Sequence, residues 1–185
     1  MREQEGIEYE IHSMMVKAVS DMQPTKLEML EWFESSVSGH IYSPAETNVR
    51  VVVTGRNWER KSLLIYDCKS AGEAEQYINE IIEEVRSIGH SAEKIGELEI
   101  ANIAVNGDFH RSLIVENLVD DAAAKGLSVE YEPEQFLGAI IHLQEPSVTF
   151  LLFSTGKFVI QGAKDPCQID PAILKIRQLL SDLSG

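Results

Sequence analysis

The chain has 185 residues, of which 44% are hydrophobic, 7% aromatic and 25% charged. This is the composition of a soluble globular protein with one ordinary core or two small lobes. It contains no apolar run near the roughly 18 residues that a membrane-spanning helix needs, and its charged N-terminus lacks the apolar stretch of a secretory signal. We therefore expect a cytoplasmic protein without a membrane partner.

The net charge is −14, and it is divided evenly along the chain. Residues 1–92 carry 16 acidic and 9 basic side chains, and residues 93–185 carry 14 and 7. Because phosphate contacts require Lys and Arg, this total argues against a nucleic-acid ligand. Binding depends on the charge of one face, however, so an acidic protein that binds DNA must carry its acidic residues on another surface.

The first half begins with a predicted strand, since Tyr9–Val16 alternates apolar and polar residues. The segment Lys26–Val37 has Leu27, Leu30, Phe33 and Val37 on one side of a helical wheel, which predicts a helix. Two more strands, Asn48–Thr54 and Ser62–Tyr66, are predicted on either side of a turn at residues 55–57.

The second half repeats this order of elements. Leu98–Val105 alternates like a strand, and Leu113–Lys125 is predicted to be a helix that ends at a glycine. The segments Gly138–Leu143, Val148–Phe153 and Lys157–Gln161 are separated by turn residues and predict an antiparallel meander.

Internal repetition connects the two halves. Residues 63–89 align without a gap with residues 158–184 at an offset of 95, and Tyr9–Val16 aligns with Leu98–Val105 at an offset of 89. In each long segment a strand leads to a lysine, then to a Ser or Asp that can cap a helix, then to an amphipathic helix. The lysine and cap are Lys69 and Ser70 in the first half and Lys164 and Asp165 in the second. The apolar helix positions are Tyr77, Ile78, Ile81, Ile82 and Val85, and Ile169, Ile173, Ile176, Leu179 and Leu180.

This order predicts an antiparallel sheet with helices on one face in each half. The halves are either separate domains or, as we expect, joined edge to edge in one curved sheet, which removes an exposed edge. Apolar residues on the face without helices would then be available to a ligand.

Residues 129–164 read VEYEPEQFLGAIIHLQEPSVTFLLFSTGKFVIQGAK. The blocks YEPEQF-x-G, EP, LLF-S-x-GK and GAK, in this order and spacing, resemble the second repeat of the TATA-box-binding protein family, especially its archaeal members. Upstream, ELEIANIAV resembles the family strand that carries a central Asn. The resemblance covers residues 97–185, whereas the first half matches mainly in architecture.

The resemblance implies an α+β fold, namely a saddle-shaped pseudo-two-fold repeat whose curved antiparallel sheet has helices on the convex face. Residues 1–92 would be a divergent first repeat and residues 93–185 the second, in one continuous saddle. It also implies a nucleoid-associated transcription-initiation factor that is not an enzyme and that binds AT-rich double-stranded DNA in the minor groove without a cofactor.

In this family, paired Phe side chains wedge into base steps and kink the duplex. Phe136 and Phe153 match the wedge positions of the second repeat. Asn102 matches the central Asn that donates hydrogen bonds to the groove floor, and Val159 matches an apolar base-contacting strand. The positions that match phosphate contacts are Ser154, Lys157 and Lys164.

Several positions depart from the family pattern. His142 replaces an Arg, Ser147 replaces a Lys or Arg, and Gln161 replaces a Thr. In the first repeat Ser13 replaces the central Asn, Val53 replaces one Phe, and the other Phe has no counterpart. Each lost phosphate contact weakens binding, so this pattern favours weak, one-ended or altered minor-groove binding over two-ended binding.

A second function is implied by the loop Glu132-Pro133-Glu134-Gln135. In relatives this loop contacts transcription factor B, so Glu132, Glu134 and Gln135 are predicted partner-binding residues. The alternative function is therefore a protein-interaction or regulatory module that contacts a transcription factor B-type protein without tight DNA binding. Acidic residues beside an aromatic residue suit a basic partner surface.

Other site chemistries find no support in the sequence. Residues 154–157 (STGK) fail the phosphate-loop pattern, because Phe158 follows the lysine. The five histidines have no ligand spacing, so no metal site is predicted. Cys68 and Cys167 are predicted to be reduced, semi-buried packing residues, and no nucleophile–base or paired-carboxylate grouping predicts an enzyme.

Overall fold

In a computed structural model of the chain, the structure describes residues 2–4, 7–23, 27, 29–31, 33–36, 39–54 and 61–182. The chain divides into two compact units. Unit 1 comprises Met1–His12 and Asn102–Gly185, and unit 2 comprises Ser13–Ala101. No helix in the described ranges is both long and apolar enough to cross a membrane.

The described residues form strands, three α-helices and the short 3₁₀ helix Pro166–Gln168. In chain order the strands are β1 (Arg2–Gln4), β2 (Ile7–Ser20), β3 (Phe33–Ser36), β4 (Gly39–Tyr42), β5 (Arg50–Thr54), β6 (Lys61–Cys68), β7 (Lys94–Asp108), β8 (Ser128–Glu130), β9 (Gly138–Leu143), β10 (Val148–Phe153) and β11 (Lys157–Ala163). The helices are α1 (Ala71–Ser87), α2 (Val115–Ala124) and α3 (Ile169–Asp182).

Unit 2 is an antiparallel sheet with one helix. Its strands are hydrogen-bonded in the order β3-β4-β5-β6-β2. The helix α1 begins after Ser70, whose hydroxyl accepts a hydrogen bond from the backbone N of Glu73 at 3.1 Å, as the sequence predicted. Four of the five predicted face residues of α1 are buried, and Tyr77 is half-buried.

Unit 1 has a similar sheet and two helices. Strand β7 is followed by β11, β10, β9 and β8, each antiparallel to its neighbour. All five predicted apolar positions of α3 are buried. Asp165 caps the short 3₁₀ helix Pro166–Gln168 that precedes α3, because its Oδ1 accepts from the backbone N of Cys167 at 2.8 Å.

The strand pairings in the two units are equivalent, and both contain the same irregularity. In both, one strand of a neighbouring pair advances two residues while the other advances three, which is a β-bulge. The bulge places Asp67 at φ 62° and Gly162 at φ 88°, at the same offset of 95. The matching Cα pairs are Val16–Ile65 and Met14–Cys68 in unit 2, and Val105–Ile160 and Ile103–Ala163 in unit 1. The division into repeats at residue 92 stays a prediction, which this register supports.

Most predicted elements are confirmed. Strands β9 and β10 have the predicted bounds, and β2, β5, β6, β7 and β11 differ only at their ends. The predicted helix Leu113–Lys125 is α2, and the turn at residues 55–57 lies outside the described residues.

The helix predicted for Lys26–Val37 is wrong over its second part. Residues of β3 pair in an antiparallel register with β4, and the Phe33 and Tyr42 rings have centroids 5.6 Å apart. Leu27, Leu30 and Phe33 are buried as predicted, but cross-strand pairing decides the conformation of β3. The two ends of the predicted helix lie outside the described residues.

The prediction of two semi-buried cysteines is also wrong. Cys68 is fully buried, and its thiol donates a hydrogen bond to the backbone oxygen of Met14 at 3.3 Å, whereas Cys167 is exposed. Burial, and to a lesser extent the Glu73 carboxylate, raises the pKa of Cys68 to about 11. The pKa of Cys167 is raised chiefly by its hydrogen bond with Asp165.

Gly156 is expected to be intolerant of a side chain. It lies between β10 and β11 at φ 89°, and an added Cβ would be 2.2 Å from the backbone oxygen of Arg111. We expect Gly156→Ala to lower the free energy of unfolding by about 2 kcal/mol or more, because left-handed strain of roughly 1–2 kcal/mol is added to a backbone collision. The matched control is Gly126→Ala, at φ 75° with nothing within 4 Å of the added Cβ. If denaturant unfolding shows the same loss of unfolding free energy for both variants, the close contact between residue 156 and the backbone oxygen of Arg111 is contradicted.

The two thiols are expected to differ in reactivity. In a Cys167→Ser variant the remaining thiol, Cys68, should react with a disulfide reagent at about pH 8 only when the protein unfolds, because it is buried and protonated. In the matched Cys68→Ser variant the exposed Cys167 should react in the folded state. The measurement is the rate of thiol labelling with and without denaturant. Fast labelling of folded Cys167→Ser protein would refute the burial of Cys68.

Candidate nucleic-acid interface

Unit 1 has one sheet face that is only partly covered. Along β10, Phe150 and Leu152 are buried, whereas the alternating Leu151 and Phe153 are half-buried. The strand register places four half-buried side chains in one row across the sheet, namely Ile140, Leu151, Val159 and Asn106. We call the face that contains this row the open face. It is apolar at its centre.

Phe136 and Phe153 meet at the end of the open face. Their ring centroids are 5.6 Å apart with an interplanar angle of 65°, which is an edge-to-face contact. Phe136 is 37% exposed. A separate aromatic cluster of this unit consists of the buried Phe150 and Phe158 and the half-buried Phe109.

Gly138 makes room for both rings. An added Cβ at this position would lie 2.9 Å from Cε1 of Phe136 and 3.0 Å from Cε1 of Phe153. The glycine of the YEPEQF-x-G motif is therefore a packing requirement, because any side chain there would separate the two rings.

Leu137 is a site residue that the sequence analysis missed. It is 74% exposed and lies between Phe136 and Gly138, so it presents an aliphatic side chain beside the aromatic pair. Its signal in the sequence was a bulky apolar residue at the variable position of a motif in an exposed loop.

Asn102 lies in β7 and is half-buried. Its Oδ1 accepts a hydrogen bond from the backbone N of Gly162 at 2.8 Å. Because the side-chain amide is planar, this contact fixes its orientation and leaves the Nδ2 hydrogens as its donors. The predicted donor role of Asn102 stays a prediction, and this orientation is compatible with it.

The predicted phosphate-contacting residues are not brought together. Ser154 and Lys157 are exposed in the turn region beside Phe153. Lys164 follows β11 at its other end, about 20 Å away at the usual rise of a strand. Its backbone N donates to Oε1 of Gln168 at 2.7 Å.

Carboxylates border the same end of the open face. The hydroxyl of Tyr9 donates to Oδ1 of Asp170 in α3 at 2.5 Å, so the alternating Glu8 and Glu10 point to the other side of β2 and are exposed. Asp108 is the register partner of Lys157. These three carboxylates were not predicted as site residues, although the alternation in IEYE indicates that Glu8 and Glu10 share one side of the strand.

Two positions where the family pattern has basic residues offer little positive charge. Nε2 of His142 lies 3.4 Å from Oε1 of Glu130, and this contact is ionic only when the imidazole is protonated. Ser147 is an exposed, uncharged residue in the turn between β9 and β10.

In the described residues of unit 2, no aromatic pair lies at the corresponding place in the register. Leu63 and Phe158 are equivalent at the offset of 95, and their cross-strand partners are Val53 and Leu152. Val53 therefore corresponds to Leu152, and the next residue, Thr54, corresponds to Phe153. The prediction that Val53 occupies this position is therefore wrong by one residue, and Val53 itself is fully buried. Only residues 37–38 connect β3 to β4, whereas residues 131–137 connect β8 to β9. That Phe136 has no counterpart in the first half stays a prediction, because residues 37–38 lie outside the described residues.

The loop of residues 131–137 contains the predicted partner-binding residues Glu132, Glu134 and Gln135, and all three are exposed. The backbone N groups of Gln135 and Phe136 both donate to the backbone oxygen of Glu132 at 2.9 Å. The side-chain Nε2 of Gln135 donates to Oε2 of Glu132. These bonds close a turn that positions Phe136. In the described part of the chain, no group of three His, Cys, Asp or Glu side chains is arranged to hold a metal ion.

Comparison with known proteins places these features in a family. Residues 97–183 match the family model described as Transcription factor TFIID (or TATA-binding protein, TBP). A TATA-box-binding protein of Picrophilus torridus is 30% identical over 153 residues, which are 82% of this chain and 79% of that protein. TATA-box-binding protein E of Halobacterium salinarum is 35% identical over 116 residues, and the chain spans 61% of its length.

A solved structure gives the same result. The structure of Methanococcus jannaschii TBP matches with a TM-score of 0.78 and 26% identity, over 95% of this chain and 98% of that chain. The α+β fold class predicted from the sequence is confirmed by this match. Together with the Picrophilus torridus relative, it shows that the chain belongs to the TATA-box-binding protein family, as a member similar to the archaeal proteins.

Proposed function

We propose that this protein is a transcription-initiation factor whose open face in unit 1 binds AT-rich DNA in the minor groove. The observation that supports this most strongly is the exposed edge-to-face pair of Phe136 and Phe153 beside an apolar row. Aromatic rings inserted between base pairs replace part of the lost stacking while they open the step.

The rest of the open face suits the floor of a minor groove. An A·T pair presents only acceptors there, and Asn102 directs its Nδ2 donors away from the bond that its Oδ1 accepts from Gly162. Val159 and Leu151 provide apolar contact in the same face. Ser154 and Lys157 at one end and Lys164 at the other would contact phosphates.

The proposed binding relies on apolar insertion more than on charge. Lys157 and Lys164 are the two lysines proposed to contact phosphates, which predicts a slope of about −2 for log K against log salt, whereas 6–10 contacts give roughly −5 to −9. Unit 2 offers Thr54 where unit 1 has Phe153. We therefore propose one-ended insertion with modest salt dependence.

Removal of either ring is expected to weaken DNA binding. Phe136→Ala and Phe153→Ala should each lower the affinity for a labelled AT-rich duplex at low salt by about tenfold or more, since a stacked base contributes roughly 1–3 kcal/mol. The matched control is Ile114→Ala, which removes a side chain that is 66% exposed in the same unit outside the open face. The readout is fluorescence anisotropy. Absence of binding by the parent at micromolar protein, or equal affinity of all variants, would refute the proposal.

A second candidate function uses the loop of residues 131–137 to contact a transcription factor B-type protein without tight DNA binding. Its support is the hydrogen-bonded turn that displays Glu132 and Glu134 beside Phe136. Carboxylates next to an exposed aromatic ring suit a basic, partly apolar partner surface.

This second candidate is tested by pull-down with the purified factor. Glu134→Arg and Phe136→Ala should each reduce capture by about tenfold, because one reverses a charge and the other removes an anchor. Glu97→Arg reverses an exposed charge in unit 2 and should leave capture unchanged. If the factor is not captured by the parent, or is captured equally by all variants, this function is excluded.

A further inference from the structure

A cavity opens beside the aromatic pair in unit 1. Its volume is about 630 Å³, within the range of pockets that hold small molecules or buried peptide side chains. Apolar atoms of Leu137, Phe153 and Val159 line it. Such a cavity can accept one large side chain, such as Trp, together with part of the backbone that carries it.

The border of this cavity is acidic. Glu8, Glu10 and Asp108 line it, and among the described residues Lys157 is the one lysine or arginine in its lining. Lys157 is the cross-strand neighbour of Asp108, so its charge is partly balanced within the border. His110 places Nε2 3.8 Å from Glu8 and Nδ1 3.9 Å from Asp108, and it becomes cationic only when protonated. The carboxylates of the border therefore attract a cation and weaken the attraction of Lys157 for a phosphate.

We propose that this cavity binds a basic segment of a partner protein. In this complex an aromatic or large aliphatic side chain of the segment fills the apolar cavity, and flanking Lys or Arg residues pair with Glu8, Glu10 and Asp108. Aromatic residues and Arg are the side chains that contribute most to such interfaces.

The charge of the border favours this occupant over the alternatives. Duplex DNA would bring phosphates close to Glu8 and Glu10, and a second copy of the chain would bring a surface of net charge −14. A segment that is both basic and apolar satisfies the carboxylates and the cavity together. This inference goes beyond DNA binding, and because Phe153, Lys157 and Val159 belong to both sites, bound segment and bound DNA would exclude each other.

The experiment uses short labelled synthetic peptides and no DNA. The probe has one central Trp flanked by Arg residues, one comparison peptide has Gly in place of Trp, and another has Glu in place of Arg. We expect the 185-residue chain to bind the probe in the micromolar range by anisotropy and each comparison peptide about tenfold more weakly.

Variants locate the peptide on the cavity. The double variant Glu8→Lys, Glu10→Lys should weaken probe binding by about tenfold. Its matched control, Glu116→Lys with Asp120→Lys, makes the same change of charge on exposed positions of α2 in the same unit. Leu137→Ser tests the apolar lining of the cavity. Because Leu137 is exposed, this substitution should leave the fold intact, so a loss of probe binding would report on the cavity.

Three results would overturn the inference. These are no probe binding below about millimolar concentration, equal loss in the border and α2 double variants, and equal binding of the Trp and Gly peptides. An AT-rich duplex is measured separately. Failure of the duplex to bind would refute the proposed DNA function and leave the peptide result unaffected.

Discussion

The edge-to-face contact between Phe136 and Phe153 is the interaction on which the functional surface depends. It exists because Gly138 has no side chain and because two backbone bonds to the oxygen of Glu132 close the turn before Phe136. The same strand alternation that buries Phe150 and Leu152 directs Phe153 to the open face. Sequence, local turn and sheet register thus act together to present two rings outside the core.

The charges around this pair limit what the open face can bind. A surface that held DNA mainly through phosphates would require several unpaired basic residues, and here Lys157 lies opposite Asp108 while Glu8 and Glu10 are close by. A protein with few phosphate contacts loses little affinity with salt but also gains little from charge. Apolar insertion must then supply the affinity for DNA, and the carboxylates give the same end of the face a preference for a basic protein segment.

Sequence reasoning succeeded where a local pattern decided the structure. The offsets of 89 and 95 predicted equivalent strands. The bulge residues Asp67 and Gly162 are also separated by the offset of 95. Apolar spacing also predicted the burial of Leu27, Leu30 and Phe33. It failed to predict the conformation of Phe33, because pairing with Tyr42 is a tertiary contact that a helical wheel does not contain.

The acidic cavity was not predictable for a similar reason. Glu8 and Glu10 come from β2, whereas Asp108 lies in β7 and Leu137 precedes β9, and only the folded sheet brings them together. The family pattern marks the positions of expected phosphate contacts and contains no signal for the carboxylates that surround them. The assignment of Val53 failed by one residue because the loop after it differs in length between the two halves.

The most direct measurement replaces single adenines of an AT-rich duplex with the fluorescent base 2-aminopurine, which brightens when it loses its stacking neighbours. Insertion of the Phe136 and Phe153 rings predicts a rise in fluorescence at one base step when the protein is added, and loss of that rise in the Phe136→Ala, Phe153→Ala double variant. Binding of the duplex without any brightening, or the same brightening in the double variant, would contradict ring insertion.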